Sequence, residues 1–183
     1  GKRYFCRSSA GGWVYDIEGL FRCNGLPVTC CDISNSPFKG NIYINYSDRT
    51  NGENDVDVFI VKSTDEGNTW SAPKRVNDDP VGNGKQQFMS WMSVDPLTGA
   101  VYVIYYDRRE YNDLNTDVYL ARSIDGGETF TNVKISESPF IPAKGVFFGD
   151  YIGVNAYNNQ VACIWQRMDK GRLSVLYAGN KYE

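Results

Sequence analysis

Ser63-Thr-Asp-Glu-Gly-Asn-Thr-Trp70 returns as Ser123-Ile-Asp-Gly-Gly-Glu-Thr-Phe130. The flanking residues return with it. Asp57-Val-Phe-Ile-Val-Lys-Ser63 matches Asp117-Val-Tyr-Leu-Ala-Arg-Ser123, and Asn41-Ile-Tyr-Ile-Asn-Tyr-Ser-Asp-Arg49 matches Ala100-Val-Tyr-Val-Ile-Tyr-Tyr-Asp-Arg108. The period is about sixty residues, in the range of stacked supersecondary units. A weaker third copy starts at Asp150-Tyr-Ile-Gly-Val and runs through Val161-Ala-Cys-Ile-Trp165 to Leu173-Ser-Val-Leu-Tyr177.

Each copy reads as four short strands, in the second copy over residues 88–94, 100–106, 117–123 and 132–135. Pro96-Leu-Thr-Gly99 and Asp125-Gly-Gly127 are tight-turn sequences between strands one and two and between three and four. No segment holds a helical apolar period over ten residues. The second strands, with Ile42, Tyr43, Ile44 and Tyr46 or Val101 through Tyr105, are apolar on both faces, so each sheet is covered on both sides. Radially stacked blades meet that demand, and the expected fold is all-β: a β-propeller segment of about three four-stranded antiparallel blades. The repeat divides the chain into a lead-in over 1–27, blades over 28–87 and 88–145, and a partial blade over 146–183.

Composition agrees with a packed β-domain. Of 183 residues, 42% are hydrophobic, 22% charged and 14% aromatic, and glycine occurs 18 times. A net charge of −3 lacks the basic excess of a nucleic-acid binder. No apolar run is long enough for a membrane-spanning helix. The absence of histidine excludes imidazole bases, Ser-His-Asp triads and His-ligated metals within this chain. Cys6, Cys23, Cys30, Cys31 and Cys163 fit no C-x-x-C metal spacing; Cys6 and Cys23 can pair across a loop in an exported protein. Gly1 to Ala10 has no signal-peptide core, so the expectation is a removed leader or a chain that starts partway through a longer protein.

The twice-used pattern Ser-x-Asp-x-Gly-x-Thr-(Trp/Phe) resembles the Asp-box, or BNR repeat, of the sialidase superfamily. In that family the box is structural. The resemblance therefore makes Ser63, Asp65, Gly67, Thr69 and Trp70, with Ser123, Asp125, Gly127, Thr129 and Phe130, fold residues. The chemistry agrees: a short carboxylate caps backbone donors, a glycine supplies positive φ, and an aromatic ring plugs between strands. Phe147-Phe-Gly-Asp-Tyr-Ile-Gly153 and the Tyr106-Asp-Arg-Arg109 strand ending are similar to secreted bacterial sialidase-like proteins. That implies an exported protein, extracellular or at the cell surface, acting on or binding a glycan or glycoconjugate. The alternative is a non-catalytic propeller that binds protein or glycan partners.

Strand parity puts the Asp-boxes on one face of the disc with the turns at 37–40 and 96–99. The opposite face collects the loops after the second strands and the links between blades, where carboxylates, arginines and tyrosines converge. Sialidase-type chemistry there uses an arginine clamp, an acid and a tyrosine nucleophile. The clamp candidates are Arg49, Arg108, Arg109 and Arg167, with Arg108 and Arg109 taken as exposed side chains. The acid candidates are Asp48, Asp107 and Asp150, and the tyrosines are Tyr106, Tyr111 and Tyr151. Because the Asp-Arg pair recurs in two repeats, the favoured reading of Asp48 and Asp107 is a strand-ending structural device, a catalytic residue usually occurring once. No cofactor is expected beyond a possible Ca²⁺, for which Asp55, Asp57, Asp113 and Asp117 offer hard oxygens without EF-hand spacing.

Several features depart from a working sialidase. The Arg-Ile-Pro motif of such enzymes is absent, Arg167 stands where Asp107 does in the previous copy, and no third Asp-box follows. Three blades leave open sheet edges. The expectation is the C-terminal half of a longer propeller, whose remaining blades, or another subunit, complete the ring.

Overall fold

A computed structural model describes residues 14–25 and 27–183, and every described element is a strand. A short lead-in hairpin, β1 (Val14–Tyr15) with β2 (Cys23–Asn24), precedes the repeats. The first blade is β3 (Val28–Cys31), β4 (Ile42–Asp48), β5 (Asp57–Ser63) and β6 (Lys74–Arg75), paired in that order. The second is β7 (Gln87–Val94), β8 (Val101–Asp107), β9 (Asp117–Ser123) and β10 (Thr131–Lys134). The third has three strands, β11 (Gly153–Tyr157), β12 (Gln160–Asp169) and β13 (Arg172–Lys181). The decisive hairpin pairs antiparallel from Ile42 opposite Ser63 to Asp48 opposite Asp57.

The strands form where the sequence is apolar on alternate residues of both faces. On β8, Val101, Val103 and Tyr105 pack with Tyr43, Val58 and Ile60 of the first blade. Its other face sends Tyr102, Ile104 and Tyr106 against Val154, Val161, Cys163 and Trp165 of the third. Every β8 residue is buried, as expected of a middle blade.

Cross-strand register explains what the third blade leaves open. Ile104 lies opposite Leu120 and Tyr106 opposite Val118, and all four are buried under the next blade. In the third blade Ile164 lies opposite Tyr177 and Gln166 opposite Val175. These are the equivalent positions, yet Ile164, Val175 and Tyr177 are 50%, 74% and 68% exposed. The docking face is repeated, and among the described residues no blade covers it.

The segment 166–170, which follows residues 161–165 where the sequence leads one to expect a loop after the second strand, is mostly strand. Arg167 sits within β12, and Lys170-Gly171 with φ of 50° and 77° makes the two-residue turn into β13. Cys30, Cys31 and Cys163 are free thiols and Cys23 is buried; Cys6, its proposed partner, lies outside the described residues.

Candidate functional site

Both Ser-x-Asp-x-Gly-x-Thr hairpins are capped by their aspartate as the chemistry requires. Thr69 donates its backbone N–H to Asp65 Oδ1 at 2.8 Å and its hydroxyl to Oδ2 at 2.6 Å; Ser63 donates its hydroxyl to Oδ1 at 2.8 Å. Asp125 repeats this with the Thr129 amide at 2.9 Å, the Glu128 amide at 3.0 Å and the hydroxyls of Ser123 and Thr129. Gly67 and Gly127 have φ of 83° and 81° and donate to the Ser63 and Ser123 hydroxyls. The second of these hairpins is also a blade junction. Glu128 is gripped by Lys62 and Lys74 of the first blade, and Lys62 donates to the Gly126 carbonyl at 3.0 Å.

These donors pull both carboxyls down to about 2 from 3.8: in Asp65 the Thr69 hydroxyl leads, and in Asp125 burial opposes but the Thr129 and Ser123 donors outweigh it. A depressed folded-state pKa adds stability above the ordinary carboxylate value and loses it as pH falls through the folded value. Melting temperature is therefore expected to fall between about pH 4 and about pH 2, and an Asp65→Asn/Asp125→Asn double variant to lose part of that slope. An unchanged acid limb in the double variant would contradict the capping role.

The opposite face holds a carboxylate-amide network that is also built by repetition. Asn77 Oδ1 accepts the Val58 amide at 2.9 Å while its Nδ2 donates to Asp57. One repeat on, Ser136 Oγ accepts the Val118 amide at 2.9 Å and donates to Asp117 at 2.7 Å. Asp57 and Asp117 are thus latches between the third strand and the outgoing link. Burial raises the Asp57 pKa, against donors from Asn77 and Asn51 and the charge of Arg75. Asp55 accepts the amides of Gly82 and Gly84, and Asp113 the amide and side chain of Asn115. The oxygens considered for calcium all carry protein donors. Among the described residues no three acidic or thiol side chains group to hold a metal.

The structure separates most of the other sequence candidates. Asp107 is buried, takes the Arg109 Nε at 2.8 Å and the Gln87 side chain at 3.2 Å, and burial lifts its carboxyl to about 6 against the Arg109 charge. Asp48 is buried and accepts the Thr50 hydroxyl. Tyr106 turns away from this network, into the junction of the second and third blades. There its hydroxyl donates to the Gln166 carbonyl at 2.9 Å, and burial drives its pKa far above the usual range. Tyr111 donates to Asp117 at 2.7 Å. Arg49 donates to the Asp16 carbonyl, Arg109 also binds Asp78, and Arg167 pairs with Asp169 at 3.0 Å. Arg108, expected at the surface, is only 4% exposed. It lies 5.2 Å over the Phe88 ring and donates to Thr116 and Gln86, and burial lowers its guanidinium to about 10. The arginines do not share a ligand point.

Asp150 and Tyr151, neighbours in sequence, lie at a small cavity of about 10 Å³, room for one water. Gly25, Ser47, Ser90 and Trp91 line it with them. The pocket forms because β7 bulges: pairing jumps from Phe88 opposite Tyr106 to Trp91 opposite Ile104, with Met89 at φ 51°. A left-handed methionine is strained by roughly 1–3 kcal/mol, and such bulges re-aim side chains beside functional sites. The Trp91 edge meets the Tyr151 ring at 5.8 Å, and Tyr151 is 58% exposed. Asp150 is held on both oxygens by Arg22, whose guanidinium lies 5.4 Å from the exposed Phe147 ring. Sequence reasoning missed Arg22 and Trp91. Arg22 pairs across 128 positions, and the bulge carries no glycine to announce it.

No protein-family model and no curated protein matches this sequence. Solved structures do match in fold. A Hadza microbial sialidase superposes at TM-score 0.52 and 18% identity, covering 75% of this chain and 32% of its own. The α-L-arabinanase of Penicillium chrysogenum, solved with arabinobiose, superposes at TM-score 0.63 and 18% identity, covering 86% of this chain and 46% of its own. The chain thus spans less than half the length of either, and what it shares with them is a β-propeller fold.

Proposed function

We propose that the chain is part of an exported glycan-binding propeller, extracellular or at the cell surface, whose sugar contacts are made on the surface around Trp91, Asp150 and Tyr151. One observation carries this reading: two aromatic rings, one widely exposed, stand beside a paired carboxylate and two serines at a strained bulge. Sugars are recognised by apolar surface under their C–H faces and by a few fixed polar groups at their hydroxyls. The fold shared with a sialidase and an arabinanase supports the same class of ligand.

Recognition is favoured over hydrolysis for the residues described. The common glycosidase scheme needs two carboxyl groups across the scissile bond, and Asp150 is the one carboxylate lining this pocket. The open face at Ile164, Val175 and Tyr177 supports further blades, of the same polypeptide or another subunit, as the structural partner. A glycan array with a sialoside hydrolysis assay tests the reading. Tyr151→Ala is expected to weaken binding about tenfold, about 1.4 kcal/mol, with little change in melting temperature because the ring is exposed. Undiminished binding in that variant would move the site elsewhere.

A further inference from the structure

We infer that the junction between the first and second blades is a pH-sensitive latch, which takes up one proton in mild acid and tightens as it does so. Its centre is Asn77, on the link between the blades. Asn77 Oδ1 accepts the Val58 amide, which fixes the orientation of the side chain. Nδ2 then lies within 2.9 Å of three acceptors: Asp57 Oδ1 on β5, Asp79 Oδ1 on the link and Gln87 Oε1 on β7. An amide nitrogen carries two hydrogens, so one acceptor goes without. Turning the Gln87 amide over brings no relief. Its Nε2 faces Asp107 at 3.2 Å and Asp79 at 3.4 Å, and an oxygen there would again meet acceptors. Asp57, Asn77, Asp79, Gln87 and Asp107 are each at most 7% exposed, and a buried acceptor without a donor is costly. A proton on one of the carboxyls supplies the missing hydrogen.

The surrounding charges leave room for that proton. Arg75 on β6 pairs with Asp57 at 3.1 Å and approaches Asp79 at 3.9 Å. Arg109, just after β8, pairs with Asp107 and Asp78 and stands 4.0 Å from Asp79. Asn51 and Asn83 donate to Asp57 and Asp79, and the neighbouring Asp55 is held by the amides of Gly82 and Gly84. From β8 and β9, the Tyr105 hydroxyl accepts from Arg109 and the Tyr119 ring lies beneath its guanidinium. Lys134 of β10 is taken by Glu110 and Asp117. Burial lifts the Asp107 carboxyl to about 6 against the Arg109 charge, and it raises Asp57 as well. A carboxyl raised by folding keeps its proton where the unfolded chain has lost it. Stability therefore grows as pH falls through about 6, and the gain is complete below the ordinary carboxylate value of 3.8.

Melting curves of the full chain test this. The melting temperature is expected to rise by about 2–5 °C between about pH 7.5 and about pH 5. Carbon-13 NMR of labelled aspartate carboxyls reads the proton directly, and one of them is expected to titrate near pH 6. Asp107→Asn and Asp57→Asn each put amide hydrogens where the proton would go, and at least one is expected to flatten the rise. A melting temperature that is level or falls over that range overturns the inference, as does a rise that both variants keep in full. Should neither variant fold, the carbon titration of the parent chain decides. Aspartate carboxyls that all titrate below about pH 5 would then overturn the latch.

Discussion

Replacing Asp95 with alanine is expected to lower the melting temperature by about 6–12 °C, the equivalent of about 3 kcal/mol in a domain of this size. Asp95 has no solvent exposure and sits between β7 and β8, where the sequence suggests an ordinary tight turn. Its Oδ1 takes the Leu97 amide at 2.9 Å and the Asn158 amide at 3.1 Å, and its Oδ2 takes the Asn159 amide at 2.7 Å. A longer contact from Thr98 at 3.3 Å completes the set. Burial alone would raise its pKa, but these backbone donors outweigh it and hold the carboxyl below its ordinary value. Two of the donors belong to the third blade's first hairpin, where Asn158 and Asn159 take φ of 52° and 60° and so turn their amides inward. Asp95 is therefore both a turn cap and a bolt between blades. Alanine would orphan all four donors at once, and unsatisfied buried donors cost far more than a typical hydrogen bond contributes.

Asp32 is the matching residue of the first blade and supplies the control. It caps its own turn through the Ser34 amide at 2.8 Å and the Ser36 hydroxyl at 2.9 Å. Asp32→Ala is expected to cost about 1 kcal/mol, since one amide and one rotatable hydroxyl lose their acceptor. Hydrogen exchange at Asn158 and Asn159 should accelerate in Asp95→Ala alone. A melting temperature within about 2 °C of the parent would refute the bolt, because that shift corresponds to well under the expected loss.

What the sequence showed and what it hid divide along a physical line. Strands β4, β5, β8 and β9 were legible because each occurs twice and because apolar residues fill both faces, which only an interior sheet tolerates. The box hairpins were legible because their hydrogen bonds close within a few residues, so spacing alone encodes them. Contacts between blades carry no such signature. The grip of Lys62 and Lys74 on Glu128 spans more than fifty positions, as does the Asn159 bond to Asp95. The latch on the third strand was hidden differently, since Asn77 and Ser136 do the same work with different side chains. Charge patterning also misled. Arg108 and Arg109 are adjacent in sequence, but the first goes beneath the surface to Phe88 and the second goes to Asp107 and Asp78. Which face of a strand ending a side chain takes is settled by the neighbouring blade.

Gly99→Ala should lower stability by about 2–4 kcal/mol, and the repeat itself provides the comparison that explains why. Gly40 and Gly99 close the equivalent turns of successive blades, with φ of 88° and 74°. Both are left-handed, so alanine at either carries a backbone penalty of roughly 1 kcal/mol. Their surroundings differ. A Cβ at Gly40 would meet nothing within 4 Å, whereas one at Gly99 would lie 2.7 Å from Asp32 Oδ2 and collide with the Ser36 side chain. That collision falls on the first blade's turn at a buried site, where Asp32 and Ser36 already hold each other. Relief would require breaking that bond or separating the blades, and forced overpacking typically adds about 1–3 kcal/mol. Gly40→Ala is thus expected to shift the melting temperature by only about 2–4 °C, and Gly99→Ala by about two to four times as much. Equal losses at the two glycines would show that backbone conformation is the whole effect and that the turns do not carry the blade junction.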